Sequence, residues 1–390
     1  MKKVLIFSLA YYPNAVSGAE GAIKEITDRI NDIEFHMVTL RFDPTQPRVE
    51  KVGTVHVHRV GYSSARLWKI LFVPLATLKG LTLHNEQRFD ALWSVMTYML
   101  FPVVFMKWFV HVPHILTLQD GDPYEKVFER WFIRPVAPLL DQGFRTASIV
   151  QAISSFLATW PKKRGYTGDV ELIYNGANPK NLAEDYSIDE ARTLAERWGK
   201  KSGDVFLLNA SRFVYQKAND VTVRALPLLP PHVKLVLVGD GPDEEMLRAL
   251  ARELAVSDRL IITGRVDRYD VPKYRNRTFA DIFVCPSRSE GLQMSSLSAM
   301  AGYLPVVSTQ AGGLAEYIWD KKHNPDKPKT AWVVDPDSPE QIAEAVKDIM
   351  AHPDEVKQVT EANRAMILKT YNWDNIAVEM RKRVFARVLG

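Results

Sequence analysis

The chain has 390 residues, 46% of them hydrophobic and 25% charged, and its formal net charge at pH 7 is +4. This composition is typical of a globular protein of about two domains, and the weak positive charge does not suggest a nucleic-acid-binding protein. Cys285 is the only cysteine. No disulfide can therefore form within the chain, and a reducing, cytoplasmic location is expected.

The predicted elements begin with an apolar run at residues 3–9. It is short for a signal peptide and is followed by Tyr11, Tyr12 and Pro13, so a first parallel strand is the preferred interpretation. Six further strands are predicted in the first half, at residues 35–40, 55–60, 90–95, 114–119, 148–154 and 170–175. Their alternation with amphipathic segments indicates βαβ units around a parallel sheet.

Two apolar segments of the first half raise the question of membrane contact. Residues 91–112 are interrupted by Pro102 and Lys107. They fall short of the ~20 apolar residues of a membrane span, so a buried strand and a helix are predicted. Residues 67–81 are apolar with neighbouring cations, namely Arg59, Arg66, Lys69 and Lys79. These residues fit a core-facing helix with solvated lysines. They also fit a helix that lies at the inner face of an anionic membrane.

Asp120 and Asp122, in "TLQDGDPYEK", imitate an Asp-x-Asp metal site, in which two carboxylates hold a divalent cation. The cations that could neutralise a diphosphate lie in the other half of the chain, which disfavours a metal here. Acceptor binding or a structural turn is the preferred interpretation. His56 and His58 alternate along one strand and show no convincing metal-ligand spacing. No metal site is predicted.

The segment that begins at residue 176 contains Gly, Asn and Pro at its start and then becomes helical, which predicts a domain boundary near residues 177–185. The predicted domains are residues 1–180 and 181–371, with a C-terminal helix at 372–390 that returns to the first. Strands of the second half are predicted at 204–211, 233–240, 260–264, 280–287, 304–309 and 331–336. The predicted fold is α/β, with two doubly wound Rossmann-like domains facing across a cleft, where ligands bind at the carboxyl ends of strands.

Two cations follow the first strand of the second half, in "NASRFVYQKAND". Arg212 and Lys217 could clamp a diphosphate, Arg212 by its planar fork and Lys217 as a point charge. Two solvated surface cations are the alternative. The next strand ends in "LVGDGPDEEML", which imitates a dinucleotide-binding loop. Its crowd of acids would repel a pyrophosphate, so this loop is predicted to be structural.

Glu290 lies in "PSRSEGLQMSS", ahead of a helix that is predicted to start near Leu292. The backbone N–H groups of Gly291, Leu292 and Gln293 would then form an anion site. A carboxylate beside a phosphate would be repelled, so Glu290 is predicted to accept hydrogen bonds from sugar hydroxyls. A simple N-terminal capping acid is the alternative.

These segments resemble the retaining family-4 glycosyltransferases, which have the two-domain GT-B fold. The resemblance covers almost the whole chain. The matching segments are "YYPNAVSGAE", "AISSFL", "IYNGAN", "ASRFVYQKAND", "ITGRV", "ADIFVCPSRSEGL" and "AGGLAEYI". Each is weak alone, whereas their common order is specific.

The resemblance implies a role for each matching residue. Arg212 and Lys217 would hold the donor diphosphate and Glu290 would contact the transferred sugar, and these three are the candidate catalytic residues. Further donor contacts would come from Gly18 in the first loop, from Val266 beside the base, and from Gly291, Leu292, Gln293 and Ser298. Acceptor binding is assigned to Gln119, Asp120 and Asp122.

The chain departs from the family pattern at two sites. Ser298 stands where the family has a second Glu, which usually binds the ribose hydroxyls, and Gln119 stands where a histidine is frequent. Ser298 offers a shorter and weaker contact than a carboxylate. Ribose recognition is therefore expected to be weakened, water-mediated or taken over by another side chain, while activity survives.

The predicted function is that of a glycosyltransferase that moves a sugar from a UDP-, GDP- or ADP-sugar to a carbohydrate or lipid-linked acceptor, without a metal or other cofactor. A sugar-nucleotide 2-epimerase of the same fold and a nucleotide-sugar-binding protein without turnover are alternatives. An NAD-dependent dehydrogenase is disfavoured because no Gly-x-Gly-x-x-Gly follows the first strand.

Overall fold

The computed structural model describes residues 1–13, 17–183 and 187–390. The chain divides into two compact units. One comprises Met1–Asn175 together with Trp373–Gly390, and the other comprises Gly176–Asn372. The predicted boundary segment, 177–185, falls at the start of the second unit, and its last two residues lie outside the described ranges.

The first unit contains a mostly parallel sheet. Its strand order is β3-β4-β2-β1-β5-β6-β7-β8, and only the β3–β4 pair is antiparallel. The central strands are buried on both faces, as the continuous apolar runs predict. The strands are β1 (Lys2–Phe7), β2 (Ile33–Leu40), β3 (Val49–Val52), β4 (Val55–Val60), β5 (Ala91–Val95), β6 (His114–Leu118), β7 (Ile149–Ala152) and β8 (Val170–Leu172).

Helices cover the faces of this sheet. Residues 91–112 form β5, a short turn and a helix, as predicted. Among the described residues, no helix is long and apolar enough to cross a membrane. The helices are α1 (Gly18–Thr27), α2 (Arg66–Gln87), α3 (Leu100–Lys107), α4 (Tyr124–Phe128), α5 (Ala137–Arg145), α6 (Ser155–Ala158) and α7 (Trp160–Lys163).

The second unit contains a fully parallel sheet of order β11-β10-β9-β12-β13-β14. Numbered from its own first strand this is 3-2-1-4-5-6, the doubly wound order of Rossmann folds. The strands are β9 (Val205–Ala210), β10 (Val233–Val238), β11 (Leu260–Ile262), β12 (Ile282–Cys285), β13 (Val306–Ser308) and β14 (Trp332–Val333). The predicted fold class is confirmed.

The helices of the second unit pack on both faces of its sheet. They are α8 (Pro179–Leu182), α9 (Ile188–Arg197), α10 (Asn219–Ala225), α11 (Glu244–Glu253), α12 (Val271–Tyr274), α13 (Met294–Ala301), α14 (Pro339–Ala351) and α15 (Pro353–Thr370). The buried side of α10 and the strands beneath it form one apolar core with Leu247 and Val346.

The C-terminal segment belongs to the first unit. It consists of α16 (Trp373–Glu379), a π-helical stretch (Met380–Phe385) and α17 (Ala386–Leu389). The Phe385 ring packs on Phe35 and Trp93, with ring centroids 5.7 and 5.2 Å apart. Arg381 also donates to Asp32 at 2.8 Å. Apolar contacts and ion pairs thus fix the end of the chain to this sheet.

Candidate functional site

The loops that follow β9 and β12 lie side by side in the second unit, because these two strands are neighbours in the sheet. The connections of β9 and β12 run to opposite sides of the sheet, which makes this position the topological switch point. Ligands of open α/β sheets bind at such a point, beyond the carboxyl ends of the strands. The two loops carry Arg212, Lys217 and Glu290.

The loop after β9 leads into α10. Arg212 is exposed, and its guanidinium makes no hydrogen bond or ion pair with the described residues. Lys217 lies in a short 3₁₀ turn, and Ala218, which follows it, has a left-handed backbone with φ of 53°. Glycine is the residue that adopts this conformation without strain, so the alanine holds the left-handed turn before the helix at a cost in strain.

Glu290 lies in the loop between β12 and α13 and is 4% exposed. Its Oε1 accepts three hydrogen bonds, from Lys217 Nζ at 2.5 Å, Ser287 Oγ at 2.8 Å and Gln293 Nε2 at 2.7 Å. The structure therefore brings two of the three predicted catalytic residues into direct contact. A carboxylate held by three donors is fixed in position.

Electrostatics favour the charged form of Lys217. Burial by itself lowers the pKa of Lys217, but the Glu290 carboxylate outweighs this effect, and the pKa lies above its ordinary value. Burial and the nearby Glu290 raise the pKa of the Cys285 thiol, which stays neutral. Lys217 thus remains an ammonium with three donors, of which Glu290 takes one.

The backbone ahead of α13 offers a second group of donors. The helix starts at Met294, two residues later than predicted. Within the described part of the chain, the N–H groups of Gly291, Leu292 and Gln293 donate to no protein acceptor. Unpaired N–H groups at a helix N-terminus can bind an anion. The Gln293 side-chain Oε1 is also buried and finds no donor among the described residues.

A glycine pair supports the backbone of Glu290 from the other side. The N–H of Gly313 donates to the Glu290 carbonyl at 2.8 Å. Gly312 has φ of +61°, and a Cβ there would lie 2.3 Å from the same carbonyl oxygen. The "AGG" segment is therefore glycine-rich because its backbone approaches that of Glu290 closely. Sequence reasoning had matched this motif to the family without finding its physical role.

Ser298 lies in α13 and is 1% exposed. Its hydroxyl donates to the Met294 carbonyl at 2.7 Å and accepts from the Asn178 N–H at 2.9 Å. Both bonds stay within the second unit. Ser298 thus holds Asn178, the residue that precedes α8, and its contact with the ribose remains a prediction.

Replacement of Ser298 by alanine is expected to lower the free energy of unfolding by about 1 kcal/mol, because the Asn178 N–H loses its acceptor. The dissociation constant of a nucleoside diphosphate should change by less than ~10-fold, or ~1.4 kcal/mol. Thr193, exposed on α9, donates only to the carbonyl of Asp189. Thr193→Ala is therefore a control in thermal unfolding and calorimetric titration. A loss of nucleoside-diphosphate affinity well above tenfold would instead make Ser298 a principal ligand of the donor.

The loop after β10 packs against the loop after β9. A Cβ at Gly239 would lie 2.2 Å from the Ser211 carbonyl oxygen, and one at Gly241 would lie 2.3 Å from that of Phe213. The backbone carbonyl of Asp240 also accepts a hydrogen bond from the Phe213 N–H at 2.8 Å. These close backbone contacts explain both glycines without a bound phosphate. Val266, the predicted neighbour of the base, follows β11 in the same unit and is half-buried.

The predicted acceptor residues lie in the first unit, after β6. Gln119 Oε1 accepts from Asn175 Nδ2 at 2.9 Å, and Asp122 pairs with Lys126 at 2.7 Å. Asp120 is 6% exposed and accepts from the N–H and hydroxyl of Thr97, at 3.2 and 3.0 Å. Burial raises the pKa of Asp120 to about 6. A buried carboxyl with a shifted pKa at the end of a strand is a candidate functional group.

Gly18 lies at the exposed start of α1. The Glu20 carboxylate accepts from the Ser17 N–H at 2.6 Å and thereby caps this helix. Residues 14–16 of the predicted first loop lie outside the described residues. The donor contact of Gly18 remains a prediction.

Two groups of side chains could bring metal ligands together. Glu34, His36 and His56 have ligand atoms within 4.8 Å of one another, as do Asp348, His352 and Glu355. In the first group, Glu34 Oε1 is already held by His36 at 2.7 Å and by Lys3 at 3.2 Å. The second group is mostly exposed. Asp120 and Asp122 contact different partners.

Sequence reasoning missed two side chains that shape the site. Ser287 donates to Glu290 directly. Arg288 reaches the loop after β9 through the Tyr215 carbonyl and pairs with Asp220 of α10 and with Asp337, which follows β14. Both lie in the quoted "PSRSEG" segment. Polarity alone did not distinguish them from solvated loop residues, and the partners of Arg288 are 49 to 73 residues away in sequence.

Comparison with known proteins agrees with this geometry. Residues 190–366 match the model of the family Glycosyl transferases group 1. The GDP-mannose-dependent alpha-(1-6)-phosphatidylinositol monomannoside mannosyltransferase of Mycobacterium tuberculosis is 29% identical over 262 residues, which cover 64% of this chain and 65% of that protein. The match thus spans just under two thirds of that relative's length.

Two further proteins are similar over most of the chain. The D-rhamnosyltransferase WbpZ of Pseudomonas aeruginosa is 26% identical over 366 residues, covering 92% of this chain and 89% of that protein. The sucrose-phosphate synthase of Thermosynechococcus elongatus has a similar structure, with a TM-score of 0.85 at 19% identity, covering 99% of this chain and 100% of that one.

The two sheets and the structural likeness define a two-domain α/β fold of the GT-B glycosyltransferase type. Within it, residues 190–366 match the family Glycosyl transferases group 1. The resemblance found in the sequence is confirmed.

Proposed function

We propose that this protein is a retaining glycosyltransferase that transfers a sugar from a nucleoside diphosphate sugar to an acceptor hydroxyl in glycan or glycolipid synthesis. The observation that carries the proposal is the contact between Lys217 and Glu290 at the switch point, beside unpaired N–H groups ahead of α13. The named relatives, both sugar transferases, support the same reaction class.

The second unit would hold the donor. Lys217 has two protons beyond the one given to Glu290, and Arg212 has a free guanidinium, so both can donate to diphosphate oxygens. The N–H groups of Leu292 and Gln293 would bind the distal phosphate. These fixed donors stabilise the charge that develops on the leaving diphosphate, which is the main source of catalysis in such a site. We propose that no metal is required.

Glu290 would orient the transferred sugar. Oε1 is occupied by protein donors, so a sugar hydroxyl would have to bond to Oε2 or replace one of these donors. The orphaned Gln293 Oε1 offers another acceptor beside it. In the same-face substitution that the family resemblance implies, the acceptor oxygen attacks the anomeric carbon while the C–O bond to the diphosphate breaks. The leaving phosphate takes the acceptor proton, and the configuration is retained.

The first unit would bind the acceptor. Gln119, Asp120 and Asp122 lie together after β6, and Asp120 is held by Thr97, which follows β5. The mannosyltransferase named above takes a phosphatidylinositol glycolipid, according to its name. A lipid-linked acceptor, met at the inner face of a membrane, is therefore proposed here.

An exposed apolar surface near α2 supports membrane contact. Leu67, Ile70 and Leu78 point outward from α2 and are each 62% exposed, while Phe72 and Ala76 face the core. Helix α2 is thus apolar on both sides, which is unusual for a helix that faces only water. The exposed apolar side chains on α2 are Leu67, Ile70, Leu71 and Leu78, and Trp131 and Phe132 lie beside Arg66 at the start of this helix. We call these six side chains the apolar patch.

Cations accompany the apolar patch. The guanidinium groups of Arg66 and Arg130 lie 5.8 and 5.9 Å from the centre of the Phe132 ring, and Lys69 is exposed on α2. Exposed aromatic and aliphatic side chains among cations suit an anionic lipid surface. Arg59, which the sequence had grouped with them, is buried and bound to the Tyr12 carbonyl at 2.6 Å. It takes no part in this surface.

The apolar patch predicts that the protein floats with anionic liposomes at low salt. The double replacement Ile70→Glu with Trp131→Glu should weaken this binding at least tenfold, since burial of one such side chain contributes about 1.5–3 kcal/mol. Met246, which is 44% exposed in the second unit, provides the control Met246→Glu. Failure of the wild type to float, or equal flotation of both variants, would end the proposal of membrane contact.

The alternatives of the same fold predict different products. A 2-epimerase would convert the nucleotide sugar to its epimer without an acceptor, and a binding protein would take up the nucleotide without turnover. The relatives favour transfer. A thermal-shift screen of UDP, GDP and ADP, followed by incubation of the matching nucleotide sugars with and without a glycolipid acceptor, separates the three functions. Transfer to the acceptor supports the proposal, and epimer formation or binding alone contradicts it.

A further inference from the structure

Arg288 joins the two loops of the candidate site. Its Nε donates to Asp337 at 2.7 Å, and its Nη1 and Nη2 donate to Asp220 at 3.0 and 2.8 Å. Nη1 also donates to the Tyr215 carbonyl at 2.6 Å, and the guanidinium lies 4.1 Å from the centre of the Tyr215 ring. Arg288 lies in the loop after β12, whereas Tyr215 lies in the loop after β9.

Backbone contacts extend this connection toward Lys217. The Arg288 N–H donates to the Gln216 carbonyl at 2.8 Å. The Gln216 Nε2 donates in return to the Ser289 carbonyl at 2.7 Å. Residues 215 and 216 are thereby fixed to residues 288 and 289, directly before Lys217 in one loop and Glu290 in the other.

The guanidinium of Arg288 is fully engaged by the protein. Two carboxylates and one carbonyl accept its hydrogen bonds. Burial by itself lowers the pKa of Arg288, but Asp220 and Asp337 outweigh this effect and leave the pKa above the ordinary value. A cation in a phosphate-binding loop would usually be expected to bind the phosphate. Here the charge is already neutralised by Asp220 and Asp337, so Arg288 is not available to the donor.

We propose that Arg288 is a positioning residue that sets Lys217 against Glu290 and the diphosphate. This inference rests on the proposed function. The Tyr215 ring is 72% exposed, and its 3₁₀ turn spans only Tyr215–Lys217. Arg288 supplies the fixed contact beneath this turn. A planar fork that reaches two acids, a carbonyl and a ring at once cannot be reproduced by lysine.

The inference predicts that Arg288 acts through Lys217. Replacement of Arg288 by glutamine should lower kcat/KM for the donor roughly 10- to 100-fold, the loss expected for a displaced catalytic group. The same replacement in a Lys217→Ala background should cost less than about threefold, because residues that act as a unit are not additive. Arg288→Lys should fall between wild type and Arg288→Gln.

The control is Arg248, which pairs with Glu244 through two nitrogens in the same unit, away from both loops. Arg248→Gln should leave kcat and KM unchanged. If Arg288→Gln does not fold, Asp220→Asn tests the same contact and should show the same dependence on Lys217. An equal loss in both backgrounds, or no loss at all, would overturn the inference. Absence of transfer by the wild type with every nucleotide sugar would instead contradict the proposed function.

Discussion

Replacement of Lys217 by alanine is expected to weaken nucleoside-diphosphate binding roughly 10- to 150-fold and to lower transfer at least as much. A charge-assisted hydrogen bond contributes about 1.5–3 kcal/mol, which sets this range. The substitution also leaves the buried Glu290 carboxylate without its cation, although Ser287 and Gln293 still bind it. The loss should therefore appear in donor affinity and in kcat.

A matched lysine distinguishes this effect from a general loss of stability. Lys234 pairs with Asp204 at 2.7 Å in the same unit, and its side chain is 20% exposed, against 19% for Lys217. Lys234→Ala should lower the melting temperature without changing nucleotide affinity in calorimetric titration. Unchanged affinity in Lys217→Ala would show that the diphosphate does not bind at this lysine.

Replacement of Asp120 by asparagine is expected to raise stability at pH 8 and to lower acceptor turnover. The folded pKa of about 6 lies above the ordinary value of 3.8. The folded state therefore favours the protonated carboxyl, and this stabilisation is lost as the pH rises through 6. The Oδ1 of asparagine can accept the hydrogen bonds from the Thr97 N–H and hydroxyl without a buried charge. The gain at pH 8 has an upper limit of about 3 kcal/mol, since one pKa unit corresponds to 1.36 kcal/mol.

Calorimetric melting between pH 4 and pH 8 tests this expectation. The difference in melting temperature between Asp120→Asn and wild type should be larger at pH 8 than at pH 4. Asp169→Asn, at an exposed site of the same unit, should show no such increase. A difference that is independent of pH would mean that the Asp120 carboxyl does not titrate near 6. Greater stability with unchanged acceptor turnover would remove Asp120 from the acceptor site.

Most of the fold could be predicted from the sequence. The strand at residues 55–60 was predicted with the bounds that the structure shows, because its apolar alternation is clear. The antiparallel edge strand β3 was missed, since its residues are half-buried or exposed and it pairs only with β4. The start of α13 was placed two residues early, because Leu292 and Gln293 look helical in sequence but belong to the anion loop.

The composition of the site could be predicted, but its connections could not. Lys217 and Glu290 were found by their positions after strands, yet their direct contact depends on the β9–β12 pairing across 73 residues. Arg288 reads as an ordinary loop cation until Asp220 and Asp337 are seen beside it. Ser298 follows Glu290 at helical spacing, but its contact with the Asn178 N–H joins residues 120 positions apart and cannot be predicted from that spacing.

The most direct test of the central claim is to follow transfer by NMR with the nucleotide sugar that stabilises the protein and a panel of detergent-solubilised glycolipids. The wild type should release one nucleoside diphosphate for each sugar transferred, and the new glycosidic bond should keep the donor's anomeric configuration. Glu290→Gln, which keeps the size of the side chain but removes its charge, should bind the nucleotide and transfer almost no sugar. An inverted product, an epimer formed without acceptor, or full activity of Glu290→Gln would contradict the account.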